Sequence, residues 1–199
     1  MSGVKILEKV MDSDNFTVGG GAASALAGAM AAGMIAMVAK LSTKKDYGLT
    51  VDKYHEISKE ADQLAKKLIF GAEEDEKAFC KIKDAYALPK STEEEKKKRL
   101  AAIQNGGIAA ATVPKNNGFM CKHVYQLGMA LKDNSNPNAA SDLAEAIMLA
   151  DAGVRGCILN IKANLLLIKD QKIKSEFENY IQELKDFKGR NEGYEEFIG

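Results

Sequence analysis

The sequence has few of the residues that stabilise folds other than helical ones. Its 199 residues contain no Trp, three Pro and two His. Proline ends helices and β-branched residues favour strands, so the scarcity of both beside abundant Ala, Lys, Glu and Leu favours long helices. The three cysteines (Cys80, Cys121 and Cys157) are odd in number and far apart. They predict free thiols in a reducing compartment and a cytoplasmic location, not a disulfide framework.

An excess of charge of either sign is also absent. The chain has 28 basic and 28 acidic side chains and a formal net charge of zero. Binding to nucleic acid or to an anionic membrane surface depends on a basic excess, so neither is expected. Hydrophobic residues make up 46%, which is ordinary for a globular chain and too high for a disordered one. The length predicts one domain over residues 1–199, with a loosely held polar tail at 189–199.

One long segment, Asn15 to Ala39, contains no charged residue. It is long enough to cross a bilayer, but Ala and Gly dominate it and contribute little transfer free energy. Small residues at four-residue spacing allow neighbouring backbones to approach closely, which favours the central helix of a bundle. The alternative, a small membrane protein, depends on this segment alone.

Hydrophobic periodicity and helix breakers predict an all-α fold, an antiparallel bundle of long helices in one domain. Ser91 and Thr92, each followed three residues later by Glu, offer two overlapping capping boxes. Pro114 is expected to restart or kink a helix. The expected helices cover residues 3–12, 19–44, 51–87, 91–112, 114–131, 140–169 and 170–187.

The helix over residues 51–87 carries an apolar stripe with one acidic residue in it. Asp75 lies on this stripe between Ala72 and Phe79, and Tyr86 continues it. A carboxylate on a core face is costly unless it is paired, hydrogen-bonded or protonated. Asp75 is therefore either a structural group bonded to a helix N-terminus or a lysine, or a carboxylate of a functional site. Both interpretations stay open.

A polar loop precedes the helix that starts near residue 140. Asn138 or Ser141 is a suitable N-cap, and Asp142 suits the first turn of a helix, so capping is a sufficient explanation for both Ser141 and Asp142.

Further along this helix, Gly153, Gly156, Asn160 and Asn164 share one face. The glycines predict a close approach by another helix or a flat ligand. The two amides either read the edges of a ligand or bond to a neighbouring helix.

Three glycines, Gly19 to Gly21, precede the uncharged helix. Backbone N–H groups at a helix start can hold an anion or a carbonyl oxygen, although the Lys-Ser/Thr pair of a nucleotide-binding loop is missing. Cys121 and His123 are not accompanied by further ligands at zinc spacing, so no metal site is expected.

Taken in order, these segments resemble the formiminotetrahydrofolate cyclodeaminase and methenyltetrahydrofolate cyclohydrolase family. The resemblance covers residues 3–185. It rests on the segments Phe16–Ser24, Met37–Lys45, Glu74–Phe79, Ala85–Pro89, Val113–Pro114, Asn136–Asp142 and Leu159–Ile161. It implies an all-helical subunit that forms a homodimer or a larger homo-oligomer, with a folate site near a subunit interface. It implies no tightly bound cofactor and a tetrahydrofolate derivative as the substrate.

The activity that the resemblance implies is the conversion of 5-formiminotetrahydrofolate to 5,10-methenyltetrahydrofolate with loss of ammonia. The alternative within the family is the cyclohydrolase reaction, which interconverts 5,10-methenyl- and 10-formyltetrahydrofolate. An alternative of another class is a folate-binding or dimerisation module without catalysis.

The resemblance also implies roles for individual residues. Asp142 is expected to be the main acid/base, and Asp75 its partner with a raised pKa or a group that orients the pterin. The other expected site residues form three sets. Backbone N–H groups of Gly19, Gly20 and Gly21 would contact the folate, Asn136, Asn138, Ser141 and Asn160 would bind the pterin or the bridge atoms, and Lys44 and Lys45 would contact glutamate-tail carboxylates.

Overall fold

The computed structural model describes residues 2–186, and these contain helices and no strand. The predicted all-α fold is confirmed. The α-helices are α1 (Ser2–Met11), α2 (Gly20–Leu41), α3 (Val51–Ala87), α4 (Glu93–Leu131), α5 (Ala140–Leu165) and α6 (Gln171–Lys185). Short 3-10 turns cover Ser42–Lys44 and Pro137–Ala139. The tail predicted to be loose, 189–199, and the expected last helical residue, Phe187, lie outside the described residues.

Helices α2 to α5 form an antiparallel four-helix bundle in which each packs against the next and α5 packs against α2. Helices α2 and α4 run parallel on the diagonal and touch because small residues lie between them. A side chain at Gly28 of α2 would overlap Cys121 Sγ of α4. Helix α1 packs on α2 and α3, and α6 packs on α4 and α5. Helix α2 therefore lies centrally, in contact with three long neighbours, and α4 contacts the three other long helices in the same way.

The uncharged segment is this central helix. By length and composition Gly20–Lys44 could cross a membrane, and 67% of its most apolar window is buried inside the bundle. Fully buried side chains such as Ile35 and Val38 lie along it. The apolar surface that prompted the membrane alternative thus packs against the other helices, as expected for a bundle core.

The glycines of α5 face α2. A Cβ at Gly153 would lie 3.0 Å from the backbone oxygen of Ser24, and one at Gly156 would overlap the Ser24 hydroxyl. Two interior helix glycines each cost about 1 kcal/mol relative to Ala, and close helix packing offsets this cost. Of the two explanations offered by the sequence, the structure supports a neighbouring helix over a flat ligand.

Helix α4 is one continuous helix from Glu93 to Leu131, so the predicted restart at Pro114 is wrong. A proline inside a helix removes the hydrogen bond to the carbonyl four residues earlier and costs about 3 kcal/mol. Here that carbonyl, Ala110, accepts a hydrogen bond of 2.8 Å from Asn164 Nδ2 of α5. The neighbouring helix replaces the missing donor, and α4 continues through the proline.

Several helix ends match the expectations and others do not. Thr92 and Glu95 form the predicted capping box of α4. Neither Asn138 nor Ser141 caps α5, whose N-cap is Ala139 with no side-chain hydrogen bond. The 3-10 turn before α5 explains the difference, because Asn136 Oδ1 accepts from the backbone N–H of Asn138 and caps that turn.

Helix α5 ends at Leu165, not at 169 as expected. Gln104 Oε1 of α4 accepts hydrogen bonds from the backbone N–H groups of Lys169 and Asp170. Asp170 then caps α6 by accepting from two first-turn N–H groups. The chain therefore leaves α5 early to reach these partners.

The apolar stripe of α3 is buried only along part of its length. Phe79 and Tyr86 were expected in the core, but 42% and 48% of their surface is exposed. Helix α2 begins opposite Asp75, so α3 beyond this point extends past the start of its main neighbour and packs mostly against α4. The exposed aromatic side chains follow from this overhang.

Candidate active site

A pocket of about 280 Å³ lies at the N-terminal end of α2. The loop before α2 and helices α2, α3, α4 and α5 all contribute to its walls. We call it the glycine pocket. Its lining residues are Phe16, Thr17, Val18, Gly19, Gly20, Gly21, Asp75, Phe79, Ala110, Asn160, Ala163 and Asn164.

Asp75 lies against the first turn of α2. A side chain at Gly21 would overlap the carboxylate of Asp75, so only glycine leaves room for it there. The backbone N–H of Ala22 donates a hydrogen bond to the carboxylate. First-turn N–H groups lack acceptors within their own helix, and the pocket lies over them. The two interpretations of Asp75 left open by the sequence therefore coincide, because it bonds to a helix start and also lines the pocket.

Burial raises the pKa of Asp75 from 3.8 to about 6, against the opposing effect of the hydrogen bond from Ala22. The low polarity around the half-buried carboxyl disfavours its charged form. A carboxyl group with a pKa near 6 is mostly ionised at neutral pH and still gains a proton readily. This property suits a group that accepts and then donates a proton in one reaction.

The raised pKa has a consequence for stability. Between pH 4 and 6 the folded chain keeps a proton on Asp75 that the unfolded chain has lost, so the contribution of Asp75 to stability falls as the pH rises. Asp75→Asn is neutral at every pH and can still accept from Ala22. We expect it to raise the free energy of unfolding by about 2 to 3 kcal/mol above pH 6, and by little at pH 4.

Urea unfolding at pH 4, 5, 6 and 7 measures this difference. Asp84→Asn is the matched control, because Asp84 is exposed on the same helix. A difference between Asp75→Asn and the wild type that stays constant with pH would contradict the raised pKa.

Two amides from α5 line the pocket together with Asp75. Asn160 lies over Gly20 and donates a hydrogen bond of 2.8 Å to the Gly156 carbonyl in its own helix. Asn164 lies one turn further and bonds to α4 through Ala110. Asn164 therefore does both things that the sequence allowed: it bonds to a neighbouring helix and it lines the pocket.

The remaining predicted site residues lie at the opposite end of the bundle. Lys44 and Lys45 line a separate pocket of about 410 Å³ beside the loop that follows α2. The backbone N–H of Asn136 donates to Ser42 Oγ at 2.9 Å, which holds the polar loop against the same end of α2. Asp142 is half-buried in the first turn of α5. We call this group the loop end; its predicted site residues are Lys44, Lys45, Asn136, Asn138, Ser141 and Asp142.

Within one chain the two groups are far apart. Asp142 and Asn160 are separated by eighteen residues of α5, or about 27 Å at 1.5 Å per residue. The structure therefore brings together Gly19, Gly20, Gly21, Asp75 and Asn160. It does not bring Asp142 to them in a single copy, and the roles of the loop-end residues stay predictions.

Some lining residues were not among the predicted site residues. Phe16 is 83% exposed at the pocket and Phe79 forms part of the same wall. Aromatic side chains beside a polar pocket suit a flat ring. Asn164 had two open interpretations, a ligand-reading amide or a bond to a neighbouring helix, but it was not among the expected folate contacts. The signal that would have singled it out is Pro114, whose helix needs a donor from outside.

Metal ligands do not cluster in the described part of the chain. Residues 2–186 contain no group of three or more His, Cys, Asp or Glu side chains that could hold a metal ion.

Comparison with known families places this chain among folate enzymes. Residues 4–183 match the family model described as formiminotransferase-cyclodeaminase. A solved structure of a formiminotetrahydrofolate cyclodeaminase from Thermotoga maritima superposes with a TM-score of 0.79 at 27% identity. The superposition covers 94% of this chain and 95% of the other.

Curated relatives carry two names. A methenyltetrahydrofolate cyclohydrolase from Methylorubrum extorquens is 33% identical, over 88% of this chain and 86% of that protein. A formimidoyltransferase-cyclodeaminase from Gallus gallus is 29% identical over 83% of this chain, which spans only 31% of that longer protein. The family match over nearly the whole described chain agrees with these relatives and with the fold. The chain belongs to the formiminotransferase-cyclodeaminase family.

Proposed function

We propose that this protein is a folate one-carbon enzyme with cyclodeaminase activity on 5-formiminotetrahydrofolate. The observation that carries the proposal is Asp75, a carboxyl group with a pKa of about 6, in a pocket lined by helix-start N–H groups and two amides. The family match and the cyclodeaminase from Thermotoga maritima support the same activity.

The reaction needs one proton to move from N10 to the leaving nitrogen. The formimino group enters in its protonated form, N5–CH=NH2⁺, and N10 attacks its carbon. The C–N10 bond forms as this carbon becomes tetrahedral and its double bond to the amino nitrogen becomes single. Asp75 takes the proton from N10 and returns it to the amine that came from the formimino group. The C–N bond to this amine breaks and ammonia leaves, giving the cationic 5,10-methenyl bridge. Because the proton is returned, one carboxyl group with a pKa near 6 can serve both steps.

Gly20, Gly21 and Asn160 bind and orient in this proposal. The free N–H groups of the first turn of α2 donate hydrogen bonds to an acceptor atom of the substrate, and Asn160 contacts the pterin or the bridge atoms. The aromatic rings of Phe16 and Phe79 pack against the flat ring system.

A homodimer or larger homo-oligomer completes the proposal. The loop end carries Asp142, Lys44 and Lys45, all far from the glycine pocket of the same copy. A second copy related by twofold symmetry can bring its loop end to that pocket. Asp142 of the second copy then supplies the second carboxylate beside the cationic bridge, and the lysines meet the carboxylates of the glutamate tail.

The cyclohydrolase reaction is the second candidate, favoured by the relative from Methylorubrum extorquens. It uses the same carbon between N5 and N10. Asp75 would take one proton from the attacking water and return it to N5 as the C–N5 bond breaks. The second proton of the water would leave to solvent as the formyl C=O forms, giving 10-formyltetrahydrofolate.

The proposal includes a cytoplasmic location and no tightly bound cofactor. Cys80, Cys121 and Cys157 are all free thiols, which suits a reducing compartment. The tetrahydrofolate derivative enters as substrate.

The deciding experiment mixes the purified protein with 5-formiminotetrahydrofolate and follows the methenyl chromophore together with free ammonia. A rise of both above the uncatalysed rates is expected. A parallel reaction starts from 5,10-methenyltetrahydrofolate. Faster loss of the chromophore there, with no reaction of the formimino substrate, would replace the cyclodeaminase by the cyclohydrolase. Folate binding without either reaction would identify a non-catalytic module.

A further inference from the structure

A proline in α4 and an asparagine in α5 form one unit beside the glycine pocket. Pro114 has no backbone N–H, so the carbonyl of Ala110 lacks its usual donor in the helix. Asn164 Nδ2 donates to this carbonyl at 2.8 Å and to the Asn160 carbonyl at 3.0 Å. An amide nitrogen carries two hydrogens, so both are used.

This pairing fixes which way the Asn164 amide points. If the amide were turned over, its oxygen would face two carbonyl oxygens and both bonds would be lost. With both amide hydrogens used, Oδ1 is the polar atom of the Asn164 side chain that can still bond to a ligand. Asn164 and Ala110 both line the pocket. Oδ1 can only accept hydrogen bonds.

We propose that Asn164 Oδ1 accepts a hydrogen bond from an N–H group of the reduced pterin and that Pro114 is the positioning residue that orients it. This inference rests on the proposed function, since it names a contact with the folate in the same pocket. A reduced pterin carries ring N–H and amino donors along one edge. Pro114 leaves the Ala110 carbonyl open to Asn164, and the resulting bond holds the acceptor toward that edge.

The proposal predicts a distinct pattern in a double-mutant cycle. Asn164→Ala removes the acceptor and should weaken tetrahydrofolate binding about tenfold, the usual effect of one hydrogen bond. Pro114→Ala gives the Ala110 carbonyl a donor within α4 and frees the Asn164 amide, so binding should weaken about threefold. The double variant should bind like Asn164→Ala alone, because Pro114 acts only through Asn164.

Pro114→Ala should weaken folate binding but should not lower the free energy of unfolding. Pro114→Ala should resist urea at least as well as the wild type, because alanine is the better helix former. Asn164→Ala leaves the Ala110 carbonyl without a donor and should be less stable. The double variant restores a donor from residue 114 and should regain the lost stability. Because its stability is restored, the double variant can be assayed even if Asn164→Ala alone folds poorly.

The measurements are the dissociation constant for tetrahydrofolate, KM and kcat, and urea unfolding. Pro89→Ala and Asn105→Ala are the controls: Pro89 lies in the turn between α3 and α4, and Asn105 is exposed on α4. Neither should change binding. The expected split is a higher KM with a nearly unchanged kcat for Pro114→Ala, which loss of stability alone would not produce.

Three outcomes would overturn the inference. Unchanged folate affinity in Asn164→Ala would show that Asn164 Oδ1 does not accept a hydrogen bond from the pterin. If the two substitutions had additive effects on folate binding in the double variant, Pro114 would not act through Asn164. Wild-type protein that neither binds nor converts folates would overturn the proposed function, and the pterin contact with it. In that last case the side-chain amide resonances of Asn164, compared with those of Pro114→Ala, still report whether the proline orients the amide.

Discussion

Replacing Asp75 by Asn is expected to lower turnover by about 10²- to 10⁴-fold, the range for loss of a general acid or base. The amide keeps the size of the side chain and the hydrogen bond from Ala22 but neither takes nor gives a proton. The wild-type value of kcat/KM should rise as the pH increases through about 6, where Asp75 ionises. This limb of the pH profile should be absent from the residual activity of the variant.

The same substitution is expected to stabilise the folded chain at neutral pH, so a low activity cannot be attributed to unfolding. Catalytic groups are often held where they reduce stability, and Asp75 would be an example. Asp84→Asn on the same helix should retain wild-type turnover. Turnover within twofold of wild type in Asp75→Asn would show that Asp75 orients or supports the site without moving the proton.

Mixing two inactive variants is expected to restore about a quarter of wild-type activity if the site is shared between copies. Asp75→Asn damages the glycine pocket of its own copy, and Asp142→Asn damages the loop end. In a twofold dimer of one copy of each, one site carries both changes and the other carries neither. Random pairing makes about half of the dimers mixed, and half of their sites are intact. Coexpression of the two variants with different tags, followed by isolation of the mixed dimer, gives the cleanest measurement.

A mixture of Asp75→Asn with Asp75→Ala is the control, since both damage the same end and no pairing restores a site. Full turnover in Asp142→Asn alone would remove Asp142 from the mechanism. If Asp142→Asn is inactive and the isolated mixed dimer stays inactive too, the site is not shared in the way proposed. Asp142 would then act on the fold of its own chain.

Asp75 illustrates how far periodicity carries a prediction of a site. Its place on an apolar stripe required a partner or an unusual protonation state, and the structure supplies both, a helix-start N–H group and a raised pKa. The periodicity could not show that α2 would begin opposite this residue. That depends on how α2 and α3 pack against each other, which is a tertiary contact.

Pro114 illustrates the opposite case. Local rules predict that a proline ends or bends a helix, and α4 runs through it. The donor that makes this possible comes from Asn164, fifty residues away in the sequence. The same contact decides the orientation of an amide in the pocket, so the continuity of α4 and the orientation of Asn164 have one cause.

The separation of Asp75 from Asp142 could not have been predicted either. The order of motifs along the chain indicates the family, but it contains no distances. Because α2 and α5 are antiparallel and long, residues near the start of α2 meet the end of α5 and lie far from its start.

The sequence alone determined that the chain is helical, where most of its helices run, that the uncharged segment is central, and to which family the chain belongs. These follow from short-range preferences and the ordered spacing of residues, which are properties of the chain itself. Only the tertiary structure decided that Asp75 is held at the start of α2, that Asn164 stands in for the donor missing at Pro114, and that the loop end is remote from the pocket. Each of these depends on which residues of different helices meet, and packing settles that only when the whole bundle forms.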